Sequence, residues 1–205
     1  MNGSKIQLSP AEERLVQNAE VILTKNRVME KMKELLEGVQ ARMLETTFSN
    51  AHAFTIAPKI SRGENYLGLP YLVLDYPRLF TPDAVFAVRS FFWWGRFFSS
   101  TLQLSGRHKE EALPKLISAY ATFSNHHIGV NADPWQHHFD SSNYRPVETL
   151  SHEDYRKVLH TQPHIKLATK LPVEEWQQAE TFLFENWKLY LNVLNLTPGP
   201  SPAKL

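Results

Sequence analysis

The chain has 205 residues, a formal net charge of +1 at pH 7 and no cysteine. The missing cysteines exclude disulfides, thiolate metal ligands and a cysteine nucleophile. The near-neutral charge argues against a general attraction to nucleic acid or to membrane surfaces. The first ten residues lack the apolar core of a secretory signal, and no window approaches the ~18 apolar residues of a membrane span. We therefore expect a cytoplasmic protein of one domain over residues 1–205, without a membrane or nucleic-acid partner.

The N-terminal segment 10–47 is predicted to be helical, because Ser9 can cap a helix and Pro10 suits its first position. Apolar residues then recur at steps of mostly three and four: Leu15, Ala19, Ile22, Met29, Met32, Leu36, Val39 and Met43. The segment is either one long helix or a helical hairpin that turns near residues 24–26. Its apolar seam either packs along a sheet of the same chain or forms a homodimer, with polar Asn26 setting the register.

Residues 53–171 are predicted to form an α+β core that begins with two strands. β-type segments at 53–58 and 69–76 flank a polar turn at 61–65, a pattern typical of an antiparallel hairpin with a long loop.

The segment after residue 80 allows two interpretations. A hydroxyl, a proline and an acid at 81–83 have the order of a helix start. We expect a brief helix there, followed by a strand over about 93–104 with Gly95 as a bulge. The alternative is a single helix over 82–94, because apolar residues also recur at helical spacing in that range.

The next part of the core is predicted to be a helix and then an irregular segment. The helix covers about 108–123, with Pro114 in its first turn, where the missing N–H is harmless. Residues 124–147 lack a sustained pattern, and short β pieces are expected only around 128–130 and 135–139.

The C-terminal third combines one strand with two helices. Ser151 begins a short helix, and residues 164–171 alternate apolar with basic side chains, which predicts a half-exposed strand. An amphipathic helix follows over 173–195, with Trp176 and Trp187 on its apolar face. The proline-rich tail at 196–205 is expected to be loose.

These elements predict an α+β fold. Strands near 53–58, 69–76, 93–104 and 164–171 come from separated segments rather than from strict alternation with helices, so the sheet should be mainly antiparallel. We expect helices to cover one of its faces, among them the long N-terminal helix or hairpin and the amphipathic C-terminal helix.

Arginines recur among aromatic residues between positions 58 and 106. Arginine holds carboxylates and phosphates through a planar fork and stacks on aromatic rings. We therefore expect a pocket for an anionic, partly aromatic small molecule. Its predicted lining residues are Arg62, Tyr66, Arg78, Trp93, Trp94 and Arg96. The alternative is that the arginines pair with nearby acids while the aromatic side chains fill the core.

Histidines and acids are concentrated at 126–140, where His127, His137 and Asp140 are the candidate metal ligands. Imidazole and carboxylate suit zinc, nickel or iron. However, the segment has no HExxH motif, and on an extended strand His137 and His138 would point to opposite faces. We expect these histidines to be structural and the protein to have no native metal, and the sequence leaves any cofactor unknown.

Three functions stay open at this point. The first is a binding domain whose pocket is built by residues 58–106. The second is a metal-dependent enzyme that uses segment 126–140, with the arginines orienting an anionic substrate. The third is an interaction module that dimerises through its N-terminal helix.

Overall fold

The computed structural model describes residues 5–46 and 52–196. In these ranges the chain forms one seven-stranded sheet of order β1-β2-β3-β4-β7-β5-β6, and every neighbouring pair is antiparallel. The strands are Lys59–Tyr66 (β1), Leu69–Phe80 (β2), Val85–Trp93 (β3), Phe97–Ser105 (β4), His127–Gly129 (β5), Tyr144–Pro146 (β6) and His164–Pro172 (β7). The helices are Pro10–Val16 (α1), Ala19–Glu45 (α2), Gly106–Ser118 (α3), His152–Thr161 (α4) and Ala179–Val193 (α5). The predicted α+β class, with helices at both ends of the sequence, is confirmed.

Helices cover one face of the sheet, which we call the helix face. The main apolar core lies here, between strand side chains such as Leu72 and Leu74 and the buried sides of α2 and α5. Helices α3 and α4 add Leu116 and Tyr155 to the same core. No helix of residues 5–46 and 52–196 is long and apolar enough to cross a membrane.

The opposite face, the loop face, is covered by residues 131–143, which we call the covering loop. The backbone N–H groups of His137 and His138 donate to the Tyr66 hydroxyl at 2.6 and 3.1 Å. The ring of Phe139 stacks on that of Tyr144, with centroids 4.7 Å apart. Beneath the loop lie buried polar and charged side chains: Arg89, Ser99, Thr101, Gln103, His164 and Lys166.

Strand β7 is present as predicted, but the expectation of half-exposure is wrong. Its alternation of apolar and basic residues is typical of a strand with one solvated face. Lys166 is only 1% exposed, because the covering loop lies over it and Gln136 of that loop accepts its hydrogen bond.

The N-terminal segment breaks at residues 17–18, so neither the single helix nor the turn at 24–26 is found. The Asn18 side chain accepts a hydrogen bond from the backbone N–H of Glu20 at 3.1 Å and so caps a new helix, α2. From Met29 to Met43 the apolar seam packs on the sheet. For this part of the segment, the predicted packing against a sheet of the same chain is confirmed. Before Met29 the helices carry no buried residue.

The first strand is displaced from its predicted place. Residues 52–54 form a 3₁₀ turn, and β1 contains the 61–65 segment that was expected to be a turn. A polar strand is possible there because β1 pairs only with β2 and lies at the sheet edge. Gly63 also leaves room for the Tyr71 ring, since a Cβ at Gly63 would lie 2.2 Å from it.

Both predictions for the segment after residue 80, a brief helix and a single helix over 82–94, are wrong, because Val85–Trp93 is strand β3. The Thr81 hydroxyl donates to the Ala84 carbonyl at 2.8 Å and accepts from its N–H at 3.1 Å. It therefore closes the turn between β2 and β3. Gly95 lies in the following turn, with a φ of 65°, rather than in a bulge within a strand.

Smaller differences concern the middle of the chain. Helix α3 ends at Ser118, and a 3₁₀ turn at 120–123 follows. Pro114 lies in the interior of α3, although it had been predicted in the first turn. The β piece at 128–130 corresponds to β5, whereas 135–139 is not a strand because it belongs to the covering loop. Strand β6 was not predicted.

The helices after residue 150 begin close to their predicted positions. Helix α4 follows its Ser151 cap, whose side chain accepts from the Asp154 N–H. The 173–195 segment starts with a 3₁₀ turn and continues as α5, so Trp187 is buried but Trp176 is 48% exposed. Of the tail predicted at 196–205, residues 197–205 lie outside the described residues.

Candidate functional site

Two of the predicted site arginines lie away from any common pocket. Arg62 pairs with Glu64 at 2.7 Å and with Glu30 of α2 at 3.7 Å, and its strand partner is Leu72 of the helix face. Arg78 donates to the Ala57 carbonyl at 2.6 Å.

Arg78 and Trp94 are separated from the other aromatic site residues as well. Arg78 pairs with Ala87 near the end of β2, whereas Trp93 pairs with Tyr71 near its start. At about 3.3 Å per strand residue these positions are roughly 20 Å apart. Trp94 packs against the apolar cluster of the helix face.

The other three predicted residues come together on the loop face. The Tyr66 and Trp93 rings meet edge to face with centroids 5.1 Å apart, and the indole N–H donates to the Tyr66 carbonyl at 3.1 Å. The Arg96 guanidinium carbon lies 5.4 Å from the centroid of the Trp93 ring. Sequence proximity explains the contact of Trp93 with Arg96, because both flank the β3–β4 turn, whereas Tyr66 comes from β1.

Trp93 and Arg96 border a cavity of about 440 Å³, which we call the Arg96 cavity, whereas Tyr66 does not line it. Its lining residues are Leu67, Trp93, Gly95, Arg96, Phe97, His138, Phe139, Asp140 and Lys170. The Lys170 ammonium lies 5.1 Å from the Phe139 ring centroid. In the described part of the chain neither Arg96 nor Lys170 forms an ion pair, so two cations face one acid, Asp140.

The Tyr66 hydroxyl fixes the tautomer of His138 at the edge of this cavity. The hydroxyl oxygen accepts hydrogen bonds from two backbone N–H groups, so the hydroxyl O–H donates to Nδ1 of His138 at 2.9 Å. Since Nδ1 accepts, the neutral ring carries its proton on Nε2. That N–H has no acceptor among the described residues and remains able to donate to a ligand.

A second cavity of about 300 Å³, the Arg89 cavity, lies beside the first on the loop face. Arg89 and Asp75 form a two-pronged ion pair, with Nε–Oδ1 at 2.8 Å and Nη2–Oδ2 at 3.0 Å. The other lining residues are Ser61, Tyr66, Tyr71, Val73, Trp135 and His137.

The Arg89 guanidinium also determines the tautomer and the protonation state of His137. Its Nη1 lies 3.2 Å from Nε2 of the ring, and a guanidinium can only donate, so Nε2 accepts and the proton is on Nδ1. Burial, followed by the charges of Arg89 and Lys166, lowers the pKa of His137 well below its usual value. His137 is therefore neutral at pH 7.

Two more titratable groups lie under the covering loop. Burial first, and the charge of Arg89 second, lower the pKa of Lys166 to about 7, and the ammonium lies 4.8 Å from the Tyr144 ring centroid. Burial, with Lys166 and Lys109 nearby, lowers the pKa of His164 to about 4.

The three candidate metal ligands occupy different surroundings. The His127 ring contacts Phe139, His137 lies against Arg89, and Asp140 lines the Arg96 cavity. Within residues 5–46 and 52–196, no three or more histidine, aspartate or glutamate side chains are grouped to hold a metal ion.

The predicted site residues include neither Lys170 and His138 nor the Asp75–Arg89 pair. Asp75 and Arg89 are direct partners across β2 and β3, so a correct strand assignment for 85–93 could have revealed them. His138 and Lys170 come from an irregular loop and from a strand distant in sequence, and no local signal joins them.

No protein-family model matches the chain, and no curated protein or solved structure matches it either.

Proposed function

We propose that the protein binds an anionic, partly aromatic small molecule in the Arg96 cavity. One observation carries the proposal: Arg96 and Lys170 line the same cavity without an ion-pair partner among the described residues, and each lies over an aromatic ring. A cavity of this size suits a small organic ligand, since ligand pockets begin at about 300 Å³.

The surroundings favour a negative group on a flat ring. Arg96 and Lys170 are both exposed, so both charges are accessible to an anion that enters the cavity. The guanidinium can hold a carboxylate or phosphate with two parallel hydrogen bonds. The Nε2–H of His138 supplies a third donor, while the rings of Trp93 and Phe97 offer faces and edges to an aromatic ligand.

Ligand-observed NMR with benzoate and 1-naphthyl phosphate tests the proposal. We expect both compounds to bind, and the double variant Arg96→Ala/Lys170→Ala to weaken 1-naphthyl phosphate at least ten-fold. Arg62→Ala is the matched control, because Arg62 is paired with acids on the other face and its loss should leave binding unchanged. The proposal fails if neither compound binds at millimolar concentration, or if the double variant binds as tightly as the wild type.

A second function, self-association, is favoured by the surface of α1 and the start of α2. In these helices and in the segment before α1, seven apolar side chains are each at least 41% exposed: Ile6, Leu8, Leu15, Val16, Val21, Ile22 and Leu23. Exposed apolar side chains concentrated in one region of a chain favour an interaction site there. Arg27 of this region already pairs with Glu20 at 2.5 Å, so we expect apolar side chains rather than charges to hold a second copy.

The predicted dimer therefore differs from the one inferred from the seam, since Met29 to Met43 are used within the chain itself. Light scattering at high micromolar concentration should give a dimer for the wild type and a monomer for Leu15→Glu/Ile22→Glu. Leu44→Glu, at an exposed site near the far end of α2, is the control. A monomeric wild type ends this proposal.

A further inference from the structure

The Arg89 cavity contains hydrogen-bonding groups that the described chain leaves unused. Arg89 is 9% exposed, and three of its five N–H groups are bound, two by Asp75 and one by His137. The other two have no acceptor among residues 5–46 and 52–196. Buried donors without protein partners are rare in folded proteins, and these two are available to a ligand that enters the cavity.

Acceptors and hydroxyls lie beside these donors. Each carboxylate oxygen of Asp75 accepts one bond from Arg89 and keeps a lone pair, because an ionised carboxylate has about four acceptor positions. The hydroxyls of Ser61 and Tyr71 also lack partners in the described part of the chain. The cavity therefore offers a hydrogen-bond donor directly next to an acceptor.

The charge of the cavity favours an uncharged occupant. Arg89 and Asp75 neutralise each other, and the pair lies in a largely buried place where an extra net charge would be costly. This distinguishes it from the Arg96 cavity, where two cations lack ion-pair partners in the described ranges.

The walls favour a flat ring. Tyr66, Tyr71 and Trp135 border the cavity, and the Tyr66 and Tyr71 rings are 6.2 Å apart at 80°. A volume of about 300 Å³ lies at the small end of ligand pockets and fits one or two fused rings.

We propose that the Arg89 cavity is a second binding site, which takes an uncharged planar ring with a cyclic amide edge. The ring N–H donates to Asp75, and the neighbouring carbonyl oxygen accepts from Arg89. Trp135 and Tyr71 pack against the ring. This site does not depend on anion binding in the Arg96 cavity.

The test uses 2-quinolone and 1-methyl-2-quinolone, two probes that differ in the amide N–H. Titrations followed by ¹H–¹⁵N NMR should show 2-quinolone binding, and its methylated analogue binding at least ten-fold more weakly, because Asp75 then lacks a donor. This comparison uses the wild-type protein and so avoids any effect of mutation on folding. Equal binding of the two probes, or no binding of 2-quinolone at millimolar concentration, overturns the proposal.

Two variants locate the binding. Trp135→Leu alters a 49% exposed side chain and should weaken 2-quinolone at least five-fold. Arg96→Ala/Lys170→Ala should leave 2-quinolone binding unchanged even where it abolishes binding of 1-naphthyl phosphate. A loss of 2-quinolone binding in the double variant would contradict a separate site.

Discussion

Lys166 donates a hydrogen bond to the backbone carbonyl of Gln136, and this contact ties the middle of β7 to the covering loop. The lysine fits there partly because Gly129 has no side chain, since a Cβ at Gly129 would lie 2.9 Å from Cβ of Lys166. The closed loop face is thus built over a lysine whose pKa, lowered by burial and by Arg89, is about 7.

The first prediction concerns the stability of Lys166→Met across pH. Between about 7 and the usual lysine pKa of 10.5, the unfolded chain binds a proton that the folded protein does not bind. The free energy of unfolding of the wild type should therefore rise with pH in this window, by up to about 1.4 kcal/mol per pH unit from this group. Below pH 7 both states are protonated and the full cost of burying the charge remains.

Methionine at position 166 removes this titration, so the variant should have a flatter profile and should gain most over the wild type at or below pH 7. Urea unfolding at pH 6.5 to 10 measures both profiles, and their difference cancels groups that titrate equally in the two proteins. Parallel profiles would show that Lys166 keeps an ordinary pKa when folded.

The second prediction concerns acid. Burial lowers the pKa of His126 to about 4, against a usual value of 6.5. The unfolded chain takes up this proton as pH falls below 6.5, whereas the folded protein takes it up only near 4, so stability should be lost across that window. His126→Phe, which replaces the imidazole by an uncharged ring beside Phe123 and Tyr190, should reduce the loss.

Urea midpoints at pH 7 and pH 4.5 check this expectation, with His160→Asn as the control because His160 is exposed. An equal loss of stability in wild type and His126→Phe would show that His126 already binds its proton in the folded state. His164, with a pKa of about 4, should contribute in the same direction.

The elements that were predicted correctly are marked by residues close to one another in the sequence. The caps Ser9 and Ser151 were recognised because capping depends on residues three positions apart. Strand β3 was missed for a physical reason: eight of its nine residues are buried, so it lacks the alternation that marks a half-exposed strand. Strand β1 was missed because an edge strand can be polar.

The candidate site was only partly accessible to the same reasoning. Trp93 and Arg96 are close in sequence, and their association followed from residue type. The contributions of His138 and Lys170 depend on how the covering loop crosses the sheet. That path is fixed by contacts between distant residues, such as the one from Lys166 to Gln136.

The third prediction compares two tryptophans of the C-terminal segment. Trp187 is fully buried, stacks on Tyr76 with centroids 6.1 Å apart, and donates from its indole N–H to the Tyr76 carbonyl at 2.7 Å. Trp187→Ala leaves a cavity and an unpaired carbonyl, and should lower the free energy of unfolding by about 3–5 kcal/mol.

Trp176→Ala removes the same side chain from a position that is 48% exposed, and should cost less than about 1 kcal/mol. Denaturant unfolding of both variants decides the comparison. Similar losses in the two would mean that Trp176 packs as the sequence analysis first suggested, on the same buried face as Trp187.

The last prediction tests the wall of the Arg89 cavity through a glycine. A Cβ at Gly63 would lie 2.2 Å from the ring of Tyr71, so Gly63→Ala must move that ring. Because β1 is an edge strand, the variant should still fold, at a cost of about 1–3 kcal/mol.

The moved ring changes the shape of the Arg89 cavity, so 2-quinolone should bind more weakly to Gly63→Ala while 1-naphthyl phosphate binds as before. Gly38→Ala is the control. It lies within α2, where alanine is favoured over glycine by up to about 1 kcal/mol, and its nearest contact is Glu180 Oε2 at 3.3 Å, the end of a flexible side chain. If Gly63→Ala binds 2-quinolone as tightly as the wild type does, Tyr71 does not form part of the ligand's wall. If both probes weaken together, the substitution has disturbed the loop face as a whole.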